Sequence, residues 1–240
     1  MKFAIFGDIH ANLEALQAVF ADAQEQGCAQ FVCLGDVVGY GANPAECLDW
    51  VRDLGCPVVR GNHDEGASDE SSLEDLNPLA EAALRWTRGQ LTMDQRQWLR
   101  DLKLVRQVRD FTAVHATLDS PGAWGYVTNR FDAMASFSYQ FTAVCFYGHT
   151  HVPRIFEKTD AVRAGRGFEV QIERGVKYFI NVGSVGQPRD GDWRASYAVY
   201  DSEAQSISIR RVEYDLGTAQ QKIRDAGLPA LLADRLALGK

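Results

Sequence analysis

The sequence predicts an α/β fold, and three observations carry that expectation. Short apolar runs of strand length alternate with longer segments of helical apolar spacing, which implies a mostly parallel sheet covered by helices and joined by right-handed crossovers. A late stretch alternates like a hairpin and suggests a second sheet. Small polar clusters follow the strand-like runs directly, placing chemistry at strand ends.

Residues 2 to 7 read as a short buried strand. Leu13, Leu16, Val19 and Phe20 give residues 12 to 26 a helical stripe that Gly27 stops. Residues 31 to 34 repeat the strand signal, 44 to 54 read as a helix, and 57 to 60 as a third strand. From Glu65 to Pro78 the composition turns to Gly, Ser, Asp and Glu with no basic residue, the signature of an exposed loop bearing Glu65, Asp69, Glu70, Glu74 and Asp75. Two helices follow, the second announced by the capping box Thr92-Met93-Asp94-Gln95. Further strands are expected at 111 to 114, 143 to 147 and 178 to 182, a helix over 132 to 141, and a hairpin over 196 to 213 that turns at 201 to 205. The Ala- and Leu-rich tail breaks at Gly227-Leu228-Pro229 and reads as helix packed on the body.

The 240 residues, 46% of them hydrophobic, fit one domain over 1–240, with a core to about 213 and a helical tail over 214–240. A formal net charge of -7 disfavours binding along a phosphate backbone, so long nucleic acid is not the expected partner. Asp8 interrupts the first apolar run, leaving no core for a secretion signal, and no run approaches the roughly 20 apolar residues of a membrane span. Five cysteines without Cys-x-x-Cys spacing fit reduced thiols in a cytoplasmic protein.

All five histidines lie in the polar clusters: His10 beside Asp8, His63 between Asn62 and Asp64, His115, and His149 with His151. Asp36 follows the second strand. Strand ends in a parallel sheet line one rim, so seven potential ligands converge there: Asp8, His10, Asp36, Asn62, His115, His149 and His151. Imidazole, carboxylate and one amide, without thiolate, suit manganese, iron, zinc or nickel. Seven donors exceed one ion; a bridging carboxylate divides them into two sets of four for a pair of ions about 3.5–4 Å apart. Asp36, flanked by Gly35 and Gly39-Tyr40-Gly41, is the bridging candidate.

Gly7-Asp8-Ile9-His10, Gly35-Asp36-Val37-Val38-Gly39, Gly61-Asn62-His63-Asp64, His115 and Gly148-His149-Thr150-His151 resemble, in order, the five motifs of the calcineurin-like metallophosphoesterases. The stretch Asn181-Val182-Gly183-Ser184 with Gln187-Pro188-Arg189-Asp190 is similar to their small bacterial and archaeal phosphodiesterase branch. The resemblance implies a four-layer α/β/β/α sandwich with two mixed sheets. It also implies a partition of ligands: Asp8, His10, Asp36 and His151 on one ion, and Asp36, Asn62, His115 and His149 on the other. The cofactors implied are two divalent or trivalent transition-metal ions, manganese foremost. His63 is implied to be catalytic, as proton donor to the leaving oxygen or as a cation facing phosphorus, with Asp64 orienting it and favouring its charge.

The expected chemistry is hydrolysis of a phosphodiester or phosphomonoester in a small substrate, by in-line attack of a metal-bridging hydroxide. Serine/threonine protein phosphatase and dinucleoside polyphosphate hydrolase are the alternative activities. A catalytically silent scaffold, like a retromer subunit of this fold, is the non-enzymatic one; it has no chemical need for His63. Arg189, Tyr40 and Asn12 are candidates for substrate contact, Arg189 because its guanidinium fork matches phosphate oxygens. Ala11 and Ala116 stand where the family commonly has glycine, which bears on the mouth of the site and not on its ligands.

Overall fold

A computed structural model describes residues 1–69, 73, 76–165 and 167–240. In chain order it contains β1 (Lys2–Phe6), α1 (Leu13–Glu25), β2 (Gln30–Cys33), α2 (Pro44–Asp53), α3 (Asn62–Ser68), α4 (Pro78–Gln90), α5 (Met93–Asp101), β3 (Val105–Val108) and β4 (Phe111–Val114). There follow α6 (Arg130–Tyr139), β5 (Val144–Tyr147), β6 (Arg154–Lys158), β7 (Val162–Ala164), β8 (Glu169–Gln171), β9 (Lys177–Asn181), β10 (Ala195–Asp201), β11 (Ser206–Val212), α7 (Leu216–Asp225) and α8 (Ala230–Asp234). No described helix is long and apolar enough to cross a membrane.

Among the described residues the strands form two mixed sheets, ordered β2-β1-β10-β11-β8 and β3-β4-β5-β9-β6-β7. Strand periodicity explains how they stack, because alternate side chains face opposite ways. Phe3 and Ile5 of β1, Ala198 and Tyr200 of β10, Phe111 and Ala113 of β4, and Phe146 of β5 share one buried cluster between the sheets. Phe3 meets Phe111 edge-on at 5.4 Å across that interface. The intervening Ala4 and Phe6 face outward, onto Leu16 and Val19 of α1, Leu48 and Val51 of α2, and Ile223 of α7. On the far side of the second sheet Val114, Cys145 and Tyr147 pack with Ala133 and Phe137 of α6. The layers are therefore α/β/β/α, each buried phenylalanine contributing about 1.5–3 kcal/mol.

Several expectations change in detail. The strands ahead of the polar clusters do not share one parallel sheet: β1 and β2 pair in the first, β4 and β5 in the second. Residues 57 to 60 form the isolated bridges Cys33↔Val58 and Val59↔Lys103 instead of a full third strand, consistent with Pro57 lacking a ladder donor. The expected loop from Glu65 begins as helix, because Asp64 at the third position of α3 caps the N–H of Gly61 at 3.0 Å. Glu70, Glu74 and Asp75 of the expected acidic loop lie outside the described residues. Strands β3, β6, β7 and β8 were not expected; β6 lies inside the second sheet, and β3, β7 and β8 are short, charged sheet edges, where alternation is weak and charge protects the edge.

Candidate metal centre

Asp8 leaves β1, Asp36 leaves β2, His115 leaves β4, and His149 and His151 leave β5, so both sheets deliver candidate ligands to one end of the sandwich. Asn62 and His63 open α3. The loops are strained where they turn inward. Asp8, His10, Asp36, His149 and His151 all adopt positive φ, between 48° and 67°, as non-glycine residues. Such backbone persists where surrounding structure fixes it, and it concentrates at functional sites.

Two close approaches hold the loops together. The backbone N–H of His149 donates to both carboxylate oxygens of Asp8, at 3.0 and 3.2 Å, tying the second sheet to the first. This needs Gly148, whose Cβ would fall 2.4 Å from Asp8 Oδ2. Gly61 is as constrained: a Cβ there would lie 2.1 Å from Asp36 Oδ1. That same oxygen accepts the N–H of His63 at 2.8 Å.

Donor atoms of Asp8, His10, Asp36 and His151 lie within 4.8 Å of one another, and those of Asp36, His115 and His149 form a second such group. Asn62 Oδ1 joins the second at 3.2 Å from His115 Nε2. Both groups contain Asp36, whose Oδ2 is 3.7 Å from His10 Nε2 and 3.4 Å from His115 Nε2.

Each of these four histidines has its other ring nitrogen anchored on a backbone carbonyl. His10 Nδ1 donates to Val38, His115 Nδ1 to Leu34, and His151 Nδ1 to Gln187, at 3.2, 2.7 and 2.6 Å. His149 reverses the pattern, donating Nε2 to Trp124 at 2.9 Å and freeing Nδ1. Such outer bonds fix tautomer and ring orientation in metal sites. In the neutral rings they leave His10 Nε2 and His151 Nε2 as lone pairs facing each other at 3.1 Å. Two acceptors so placed fit a shared cation and cannot satisfy each other.

The electrostatics agree. Burial pushes the Asp8 carboxyl up to about 7, a rise opposed by His115 and reinforced by Asp36. At Asp36 burial also acts upward, but His115, His63 and His10 outweigh it and hold the carboxylate well below its ordinary range. His115 is driven up to about 9, against burial, by the charges of Asp36 and Asp8. Burial lowers His10, His151 and His149, the last to about 3. Buried carboxylates that need positive charge thus face three neutral imidazoles offering lone pairs, while His115 holds a proton that a bound cation would displace, a donor set suited to transition-metal cations.

His63 belongs to neither donor group. Its ring stands edge-on to His10 at 4.8 Å and tilted over Tyr40 at 4.4 Å, and its buried Nδ1 has no hydrogen-bond partner. Burial lowers it to about 4, so the free protein holds a neutral ring. The orienting contact expected from Asp64 lies elsewhere. Its carboxylate accepts the backbone N–H groups of Asp36, Val37 and Gly61 at 2.8, 2.8 and 3.0 Å, clamping the Asp36 loop to the start of α3. Asn12 is likewise engaged structurally, capping α1 through Ala15 N and donating to Gly186 O. Tyr40 lies against the rings of His10 and His63, with the Arg189 guanidinium 5.7 Å from its ring centre.

Sequence reasoning missed a wall of the site on the loop before α6. Besides its carbonyl bond to His149, Trp124 donates Nε1 to Glu65 Oε2 at 2.9 Å, and Tyr126 stacks on the His149 ring at 4.3 Å. Backbone carbonyls leave no sequence signal, but the aromatic pair Trp124 and Tyr126 nine and eleven residues after His115 could have been weighed.

A fold of two facing mixed sheets with this strand-end cluster defines a metallophosphoesterase, and residues 1–205 match the calcineurin-like phosphoesterase superfamily domain. The chain belongs to that family. A metallophosphoesterase from Sphaerobacter thermophilus is 40% identical, with TM-score 0.87 over 100% of this chain and 99% of its own. An uncharacterized protein from Methanocaldococcus jannaschii is 38% identical over 241 residues, covering 99% of this chain and 98% of that protein. The symmetrical bis(5'-nucleosyl)-tetraphosphatase of Glaesserella parasuis is 30% identical over 128 residues, 48% of this chain and 44% of that enzyme.

Proposed function

We propose that the protein is a dinuclear-metal-dependent phosphoesterase acting on phosphodiester or phosphomonoester bonds of a small substrate. The observation that carries this reading is the pair of donor groups meeting at Asp36, with His63 beside them and outside both. Asp8, His10, Asp36 and His151 would hold one ion, and Asp36, Asn62, His115 and His149 the other. Bound there, two cations, manganese foremost, would activate water and neutralise phosphoryl oxygens. The protein's own part is positioning. Backbone carbonyls aim the histidines, Asp64 fixes the Asp36 loop, and Arg189 binds a phosphoryl oxygen. His63, neutral in the free protein, would take up a second ring proton when the anionic phosphoryl group beside it raises its pKa, and would pass that proton to the departing oxygen.

Dinucleoside polyphosphates are a second substrate reading, favoured by the partial similarity to the tetraphosphatase. The free cysteines at 28, 33, 47, 56 and 145 are consistent with a reducing cytoplasm. The test is elemental analysis of purified protein, followed by a manganese-supplemented screen of bis-nitrophenyl phosphate, nitrophenyl phosphate, a phosphopeptide and diadenosine tetraphosphate. Turnover of a small ester with about two metals per chain is expected. Metal-replete protein that hydrolyses none of them contradicts the reading and favours a scaffold.

A further inference from the structure

Helix α6 is apolar on two opposite sides. Its inner face, Ala133 and Phe137, packs on Val114, Cys145 and Tyr147 of the second sheet. Its outer face carries Phe131, Met134, Ala135 and Ser138, all exposed, at the i, i+3, i+4, i+7 spacing of one helical stripe. Tyr139 borders the stripe, and Phe141 follows the C-cap residue Gln140. The two charges of the helix, Arg130 and Asp132, fall to its flanks, each turned about 100° from Phe131. A helix that is apolar all round is ordinarily covered all round.

Phe131 is 67% exposed, Met134 51%, Tyr139 58% and Phe141 95%. With about 150–250 Å² per aromatic side chain, these fractions leave roughly 500 Å² of apolar surface in water. That is near the upper end of what a monomer ordinarily exposes in one patch. It also matches the nonpolar share, a little over half, of the about 800 Å² that each partner buries in a stable interface. The stripe complements itself as well. Its large side chains stand in the first half and its small ones in the second. An antiparallel copy centred on the stripe therefore sets Phe131 against the partner's Ser138 and brings Met134 and Ala135 onto their own counterparts at the twofold axis. Charge points the same way. Arg130 opens α6, where the helix dipole disfavours a cation, and the last turn has no basic residue. In the antiparallel pair each Arg130 lies beside the partner's C-terminal turn.

We propose that the outer face of α6 is the surface through which two copies of this chain pair, as a twofold dimer with its axis at Met134 and Ala135. The small side chains of Ala135 and Ser138 let the two helix axes approach to the about 8–10 Å of ordinary helix packing. The pairing joins the outer helical layers behind the second sheets. Because α6 supplies no candidate metal ligand, the dimer stands whether or not the chain hydrolyses a phosphoester.

Sedimentation velocity of the purified full chain from about 1 to 100 µM reads the pairing, which should give a species of twice the 26.6 kDa chain mass. Ala135→Glu and Ala135→Lys each set like charges against each other at the axis, on an exposed helix position that accommodates either residue. Each variant alone should raise the dissociation constant at least about a hundredfold. An equal mixture of the two should recover dimers, because opposite charges then meet across the axis. A wild type that is monomeric at about 100 µM overturns the proposal, and its adsorption to phosphatidylcholine vesicles would assign the face to a lipid surface instead. A dimer that neither substitution weakens also overturns it, since the contact then lies elsewhere. So do variants that are monomeric alone and remain so when mixed.

Discussion

Replacing Gly61 by alanine inserts a methyl group into the candidate metal centre. The backbone there, at φ -98° and ψ 171°, suits any residue, so the perturbation is steric. The new Cβ would lie 2.1 Å from Asp36 Oδ1 and 2.5 Å from Asp36 N. To reach even 3.0 Å, the carboxylate oxygen must retreat by about 0.9 Å. Metal–ligand distances tolerate only about 0.2 Å, and misplacements near 1 Å cost around a hundredfold in rate. The retreat also breaks the 2.8 Å bond from His63 N, which sets where α3 begins. Gly61→Ala should therefore lose at least half its metal by elemental analysis and at least about a hundredfold in turnover, with a stability loss of about 1–3 kcal/mol. Gly89→Ala is the control, since a Cβ there meets nothing within 4 Å and helix propensity favours it by up to about 1 kcal/mol. Full metal content and normal turnover in Gly61→Ala would refute the placement of Asp36 between the ions.

Other outcomes follow from contacts away from Asp36. Tyr126→Ala removes a ring that is 60% exposed and stacked on His149, and should raise KM about tenfold for esters with aromatic leaving groups while metal content stays normal. Asp22 receives paired bonds from Arg210 at 2.6 and 2.7 Å and the Tyr197 hydroxyl at 2.6 Å. Burial acts to raise its pKa, but these bonds prevail and lower it. A depressed carboxylate stabilises the fold above its unfolded pKa of about 4, and that contribution disappears as pH falls through the lower folded value. Asp22→Asn should thus cost about 1 kcal/mol near neutrality, after allowance for solvent screening. Thermal unfolding of the two proteins should converge as pH falls through that lowered folded value, and a gap that persists in acid would remove the charge from the explanation.

The clustering of candidate donors was legible because most of them follow a short apolar run, and strand ends are where α/β folds concentrate polar atoms. The assignment of strands to sheets was not legible from periodicity. Phe31–Leu34 and Ala143–Tyr147 are both short runs buried on two faces, and nothing in either run says which partner it takes. Helix α3 was obscured by Gly66 and Ser68, weak helix formers, and by the use of Asp64 as a cap. The same capping role hid the destination of Asp64: adjacency to His63 suggested a partner, whereas the first turn of a helix points successive side chains in different directions.

The separation of His63 from the metal ligands is the central claim, and His63→Ala tests it most directly when metal content and turnover are measured on the same sample. The expected result is a normal metal stoichiometry, because His63 contributes to neither donor group, with turnover reduced by about a hundredfold or more. Loss of metal in parallel with activity would make His63 a ligand, and unchanged turnover with normal metal would remove it from the chemistry.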